Sequence, residues 1–243
     1  MRSAPWLWLS VAASMTGCRT PDAPAPRSTP RAHEVTAACA ALHDASPQLW
    51  GERLPPVMAA GRAAEAPLLA LLEQRPAAAG AQATVAALGR IGGTATVRAC
   101  RQIVDERGAL AIEAALALGL LPTGPEDPAL LACVGDRYTD ATLRTAAACS
   151  LARHGERTLA PEWLAAVVRA GTPAGLADER ALGLPPKTRW ARERYFVQRL
   201  LRDLGHVDLS TALDTDASWP SLEQLAPRVR SRLATSSARP VAR

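Results

Sequence analysis

Apolar residues through the middle of the chain recur at the three- and four-residue intervals of a helix. Val97, Cys100, Ile103 and Val104 form one such stripe. Three segments are self-similar: AQATVAALGRIGG (81–93), LAIEAALALGLLP (110–122) and LRTAAACSLARHG (143–155). Aligned, they bring Leu88, Leu118 and Leu151 into register, together with Val85, Ala115 and Ala148 and with Gly89, Gly119 and Ala152. Each predicts a helix that stops at Gly or Pro. Another helix is predicted before each, over 66–75, 96–107 and 127–138, and a further one over 161–171. Pro128 and Pro161 fall in first helical turns, Asp127 is placed to cap in front, and Pro76, Gly93 and Gly108 separate successive helices.

The unit is helix, turn, helix, turn, repeating about every 30 residues, which is the period of an α-solenoid. One helix pair cannot bury its apolar face alone, whereas stacked pairs share a continuous core. The predicted fold is all-α: a solenoid of about four antiparallel helix pairs with irregular terminal caps. The repeats span 57–171, after an N-terminal cap over 33–56. Residues 172–187, with Pro173, Gly175, Gly183, Pro185 and Pro186, predict a long loop with at most one helical turn. A long helix from Thr188 to Leu204 follows, then a short one from Pro220 broken or kinked at Pro227. Together, 188–235 read as a diverged last repeat and cap, and 236–243 as a frayed tail.

Composition sharpens this picture. The chain holds 52 Ala and 32 Leu but three Ile and one Phe. Strong helix formers dominate, and the β-branched and aromatic residues that sheets need are scarce. With 48% apolar residues the chain is not compositionally disordered. Ala also lets helices approach closely. The repeats resemble HEAT repeats, in particular the short bacterial kind with AALALGRLG-like second helices. That resemblance implies a groove that holds another protein, and it implies no particular reaction.

The first 32 residues differ. Arg2 precedes a short apolar run, Trp6 to Met15, too short for a bilayer span but suited to a signal-peptide core. Met15-Thr16-Gly17-Cys18 resembles the lipobox of bacterial lipoproteins, with Met15 where Leu is usual. The resemblance implies cleavage of 1–17 and lipidation of Cys18. Residues 19–32, with prolines at 21, 24, 26 and 30, then form an extended tether. Arg19 stands where the inner-membrane retention signal has Asp, which implies an outer-membrane anchor facing the periplasm.

Cys39, Cys100, Cys133 and Cys149 remain. An even number in an exported chain permits two disulfides. However, helices one repeat apart pack at about 8–10 Å, beyond the usual Cα separation of a bridge. Small buried thiols in Ala-rich helices are the expectation. Cys39 and His43 share a helix face, but a zinc site needs three or four ligands and no partner is evident, so no metal and no cofactor is expected.

Net charge is +5, from 28 basic and 23 acidic residues, and every basic residue except Lys187 is Arg. That is too mild for a dedicated nucleic-acid binder. The densest basic stretch, 187–202, interleaves Trp190, Tyr195 and Phe196 with arginines. Helical spacing turns Phe196, Leu200 and Leu204 to the core, with Val197 and Leu201 beside them, and Arg192 and Arg199 outward. Pro185, Pro186, Arg189, Trp190, Arg192, Tyr195 and Arg199 are the candidate partner-binding residues, with Pro185, Pro186 and Trp190 as a docking lip.

No metalloprotease, serine-hydrolase, P-loop or dinucleotide motif occurs. His154 and His206 adjoin Gly at helix ends, where an imidazolium would suit the helix dipole. Glu113 stands alone in an apolar helix and could face the groove. The expected function is a non-enzymatic module, monomeric, binding an envelope protein at a lipid-anchored surface, with no nucleic acid. The alternatives are a cytoplasmic nucleic-acid binder using 187–202, and an enzyme helper resembling bilin lyases.

Overall fold

A computed structural model describes residues 31–182, 190–213 and 218–236. The candidate lipobox (Met15, Thr16, Gly17, Cys18), the tether as far as Pro30, and Pro185, Pro186 and Arg189 lie outside the described residues, and Ala32, expected at the end of the tether, instead opens the first helix. The described chain is helical throughout, and no strand occurs among those residues. The helices are α1 (Ala32–His43), α2 (Trp50–Ala60), α3 (Glu65–Gln74), α4 (Ala81–Ile91), α5 (Thr94–Glu106), α6 (Ala111–Leu118) and α7 (Pro128–Gly135). They continue with α8 (Ala141–Arg153), α9 (Leu159–Arg169), α10 (Leu176–Leu182), α11 (Ala191–Asp203), α12 (Val207–Ala212) and α13 (Trp219–Thr235). No described helix is long and apolar enough to cross a membrane.

The seven central helices fall where the apolar periodicity puts them. Their ends follow local chemistry. Asp127 caps α7 through the N–H groups of Ala129 and Leu130, and Asp140 does the same for α8 through Thr142 and Leu143. α7 stops before the predicted 138 because Asp136 accepts the Tyr138 N–H and turns the chain. α8 and α11 end alike. Gly155 (φ 89°) and Gly205 (φ 85°) adopt the left-handed conformation. The next residue in each case, Glu156 or His206, returns its N–H to Leu151 or Leu201.

Four helices pack side by side: α4 on α6, α6 on α8, α8 on α11. Contacts at both ends show α8 and α11 to be parallel. Thr142 Oγ1 donates to Glu193 Oε1 at 2.7 Å near their N-termini, and Arg153 pairs with Asp203 at 2.7 Å near their C-termini. α5 and α7 are parallel too, through Arg101–Asp127 at 2.9 Å and Arg107–Asp136 at 2.7 Å. Glycines set how closely α4, α6 and α8 approach. A Cβ on Gly89 would lie 2.8 Å from the Ala117 Cβ, and one on Gly119 would lie 2.5 Å from the Ser150 Oγ. Ser150 Oγ itself donates to the Ala115 carbonyl at 2.7 Å. The repeat-matched glycines are therefore contact points between helices as well as helix-end residues. α8, wedged between α6, α7, α9 and α11, is buried from Ala141 to Ala152.

Three regions differ from the sequence expectation. Residues 33–56 form α1 and most of α2, which continues to Ala60 through Pro55 and Pro56, across the expected boundary at 56/57. The segment expected as a long loop, 172–187, is helical over α10 (Leu176–Leu182). The Glu179 carboxylate accepts the Gly171 N–H, and Thr172 Oγ1 accepts the Gly175 N–H, so local bonds hold this stretch compact. α13 is continuous through Pro227, although Pro removes one intrahelical donor. Its apolar stripe of Leu222, Leu225, Ala226, Val229 and Leu233 is buried, and α13 lies against α9, so packing outweighs the lost bond.

Candidate binding face

Burial sorts the predicted site residues. Trp190, expected on a docking lip, is fully buried at 0% exposure. Its ring edge lies against Gly171, where a Cβ would sit 3.5 Å from its Cδ1. An indole is large and apolar enough that the fold uses it to seat the start of α11. Arg192, Tyr195 and Arg199 are exposed, Tyr195 at 43%. They share one face with Arg202, being spaced i, i+3, i+7 and i+10. Val197, Leu200, Leu201 and Leu204 point into the core as predicted, while Phe196 is half-buried. The Arg192 guanidinium lies 5.9 Å from the Phe196 ring centroid, and Tyr195 and Phe196 stand with centroids 6.5 Å apart.

Across α8 stands α6. Ile112, Glu113 and Leu116 are half-buried on it. Burial raises the Glu113 carboxyl pKa above its usual value, against its own backbone N–H and the charge of Arg192, which lower it. α6 and α11 both pack on α8, and the charge of Arg192 acts on Glu113 across it. Glu113 Oε2 is buried without a hydrogen-bond partner. The face therefore carries an apolar strip on α6, one carboxylate, and a cationic, aromatic stripe on α11.

Other polar groups are structural. Arg144 is 5% exposed. It donates through Nε and NH2 to the Val134 carbonyl and through NH1 to the Leu182 carbonyl, and its guanidinium lies 3.7 Å from the Trp163 ring centroid. Arg194 similarly donates to the carbonyls of Val168 and Ala170. Burial pushes the pKa of both guanidinium groups down. These arginines satisfy carbonyls that helix C-termini leave open, a role the sequence reading missed; an Arg set among the small residues of the first half of α8 was the available signal.

His43 is buried with both ring nitrogens used. Nδ1 faces Thr84 Oγ1 at 3.0 Å and Nε2 faces the Arg75 carbonyl at 2.9 Å. Since a carbonyl only accepts, Nε2 carries the proton and Nδ1 accepts from Thr84. Among the described residues no group of three or more metal-ligating side chains lies together. The four cysteines there are free and buried. Burial raises the pKa of Cys39 to about 11 and those of Cys100 and Cys149 to about 12, so these thiols stay protonated and unreactive.

His154 corrects the expectation of a charged cap. Nε2 faces the Leu118 carbonyl at 2.9 Å and Thr123 Oγ1 at 2.8 Å, tying the end of α8 to the end of α6. Burial lowers its pKa, so the neutral ring is the native form. The unfolded chain then binds the extra proton first. The stabilisation is complete above the unfolded value of ~6.5 and is lost as pH falls through the lower native pKa. Thermal unfolding of the wild type between pH 7.5 and 5 should show this falling limb, and His154→Asn should flatten it; equal slopes would refute the assignment. His206 is likewise more than a cap: its Nε2 meets Ser236 Oγ at 2.8 Å, joining the start of α12 to the end of α13.

These observations define an all-helical protein among its described residues. The chain matches no protein-family model, no curated protein and no solved structure.

Proposed function

We propose that the chain is a non-enzymatic protein-binding module: a HEAT-like α-solenoid, lipid-anchored through Cys18, that holds another envelope protein. In this reading residues 1–17 are a signal peptide and 19–32 a tether from the outer membrane into the periplasm. The arrangement of four helices carries the binding part. α4, α6, α8 and α11 lie side by side, with close glycine contacts from α4 to α6 and from α6 to α8, and the ladder leaves Ile112 and Leu116 half-buried on α6 and Arg192, Tyr195 and Arg199 exposed on α11. A rigid helical ladder with a mixed apolar and charged face suits protein recognition, whose contact regions favour Tyr and Arg. Met15-Thr16-Gly17-Cys18 supports the anchor, and a tether raises the local concentration of the module beside an anchored partner.

The test is palmitate labelling with membrane fractionation of wild type and Cys18→Ala. Wild type should be labelled and membrane-bound, and the variant neither. An unlabelled, cytoplasmic wild type would overturn the envelope reading and bring the arginines of α11 forward as a nucleic-acid surface.

A further inference from the structure

We propose that the stripe Arg192–Tyr195–Arg199–Arg202 on α11, with Phe196 and the Ile112–Leu116 edge of α6, binds an acidic amphipathic helix of a partner protein. The inference rests on the protein-binding reading above and names the partner's chemistry. Three observations carry it.

The first is charge left uncompensated. The arginines of α13 mostly have carboxylates: Arg230 meets Glu162 at 2.8 Å and Arg228 meets Asp208 at 3.6 Å. Arg153 meets Asp203 at 2.7 Å. On α11, Arg199 and Arg202 have no ion pair among the described residues, and Arg192 has only the Phe196 ring and the field of Glu113. The second is spacing. The stripe follows one face of a single helix for about 15 Å, so it matches carboxylates at the same three- and four-residue intervals on a partner helix. Guanidinium groups fork onto carboxylates, and Tyr195 supplies an exposed, rigid aromatic between them.

The third is what flanks the stripe. Phe196, Ile112 and Leu116 are half-buried and offer an apolar shoulder for the other edge of an amphipathic helix. A polyphosphate would gain nothing from an apolar shoulder, so the face favours an acidic amphipathic protein segment over nucleic acid.

The experiment places a photocrosslinking amino acid at Tyr195, or at Leu116, in the full-length chain in its native cells. Crosslinked segments are then mapped by mass spectrometry. From Tyr195, the expected product is a segment with carboxylates at helical spacing. Its yield should fall about tenfold or more with Arg199→Glu and Arg202→Glu together, which are exposed positions whose replacement leaves the helical signal intact. Crosslinks from Tyr195 to nucleic acid, to a segment without carboxylates, or at unchanged yield in the charge-reversed chain would overturn the inference. Products from Leu116 with none from Tyr195 would overturn it while leaving the binding reading standing. No protein product from either position would defeat both.

Discussion

Arg144→Met should lower the thermal midpoint by about 6–12 °C, corresponding to about 3 kcal/mol. Met roughly preserves the volume beside Trp163 and removes only the donors. The carbonyls of Val134 and Leu182, at the ends of α7 and α10, would then face a thioether. Replacing a buried charge is near-neutral only when its partners are replaced with it, and here the partners are backbone and stay. Among the described residues the native guanidinium has no contacting carboxylate. It is held instead by the negative ends of two helices and the face of an indole. Arg153→Met is the control, because its ion pair with Asp203 is partly exposed and should be worth about 1 kcal/mol or less. Circular dichroism melts of the two variants decide the matter, and equal shifts would show that Arg144 is not a clamp.

Gly89→Ala should destabilise the protein by about 1–3 kcal/mol, against the usual helix preference. In an open helix the same change stabilises by about 0.4–1 kcal/mol, because the unfolded chain loses freedom. Gly51 in α2 is such an open site, with nothing within 4 Å of an added Cβ. At Gly89 the new methyl would lie 2.8 Å from the Ala117 Cβ and 2.9 Å from its Cα, and a backbone atom does not rotate away. Gly119→Ala, against the Cα of Ser150 at 2.9 Å, should behave like Gly89→Ala. Urea titrations of the three variants should give opposite signs for Gly51 and for the other two. A stabilising Gly89→Ala would mean that α4 and α6 are not in the tight contact described.

The stripe on α11 was legible in part. Spacing alone turned Arg192 and Arg199 outward and Val197, Leu200 and Leu201 inward, because a helix of fixed period must segregate them. Trp190 was not legible. It sits among arginines just before the helix, and nothing local distinguishes an aromatic that covers a surface from one that fills a cavity. Arg202 belongs to the stripe by spacing, but its free charge appears only once Asp203 is seen paired with Arg153. Glu193 and Arg194 are charged residues with no local signal for burial. Thr142 from α8 and the carbonyls that close α9 draw them inward instead.

The sequence by itself determined that the chain is helical, which segments hold its central helices, and which positions recur from one segment to the next. These are local matters of propensity, capping and period: Asp127 before Pro128, glycine after the last turn, leucine in register. The tertiary structure alone decided why Gly89 and Gly119 recur, that 176–182 is helical despite Pro173 and Gly175, and that α13 continues through Pro227. It also decided that His154 is neutral and that Trp190 is core. Each of these depends on which backbone or side chain approaches from another helix. A close contact, a desolvated ring or a borrowed carbonyl has no signature in the neighbouring residues of the chain.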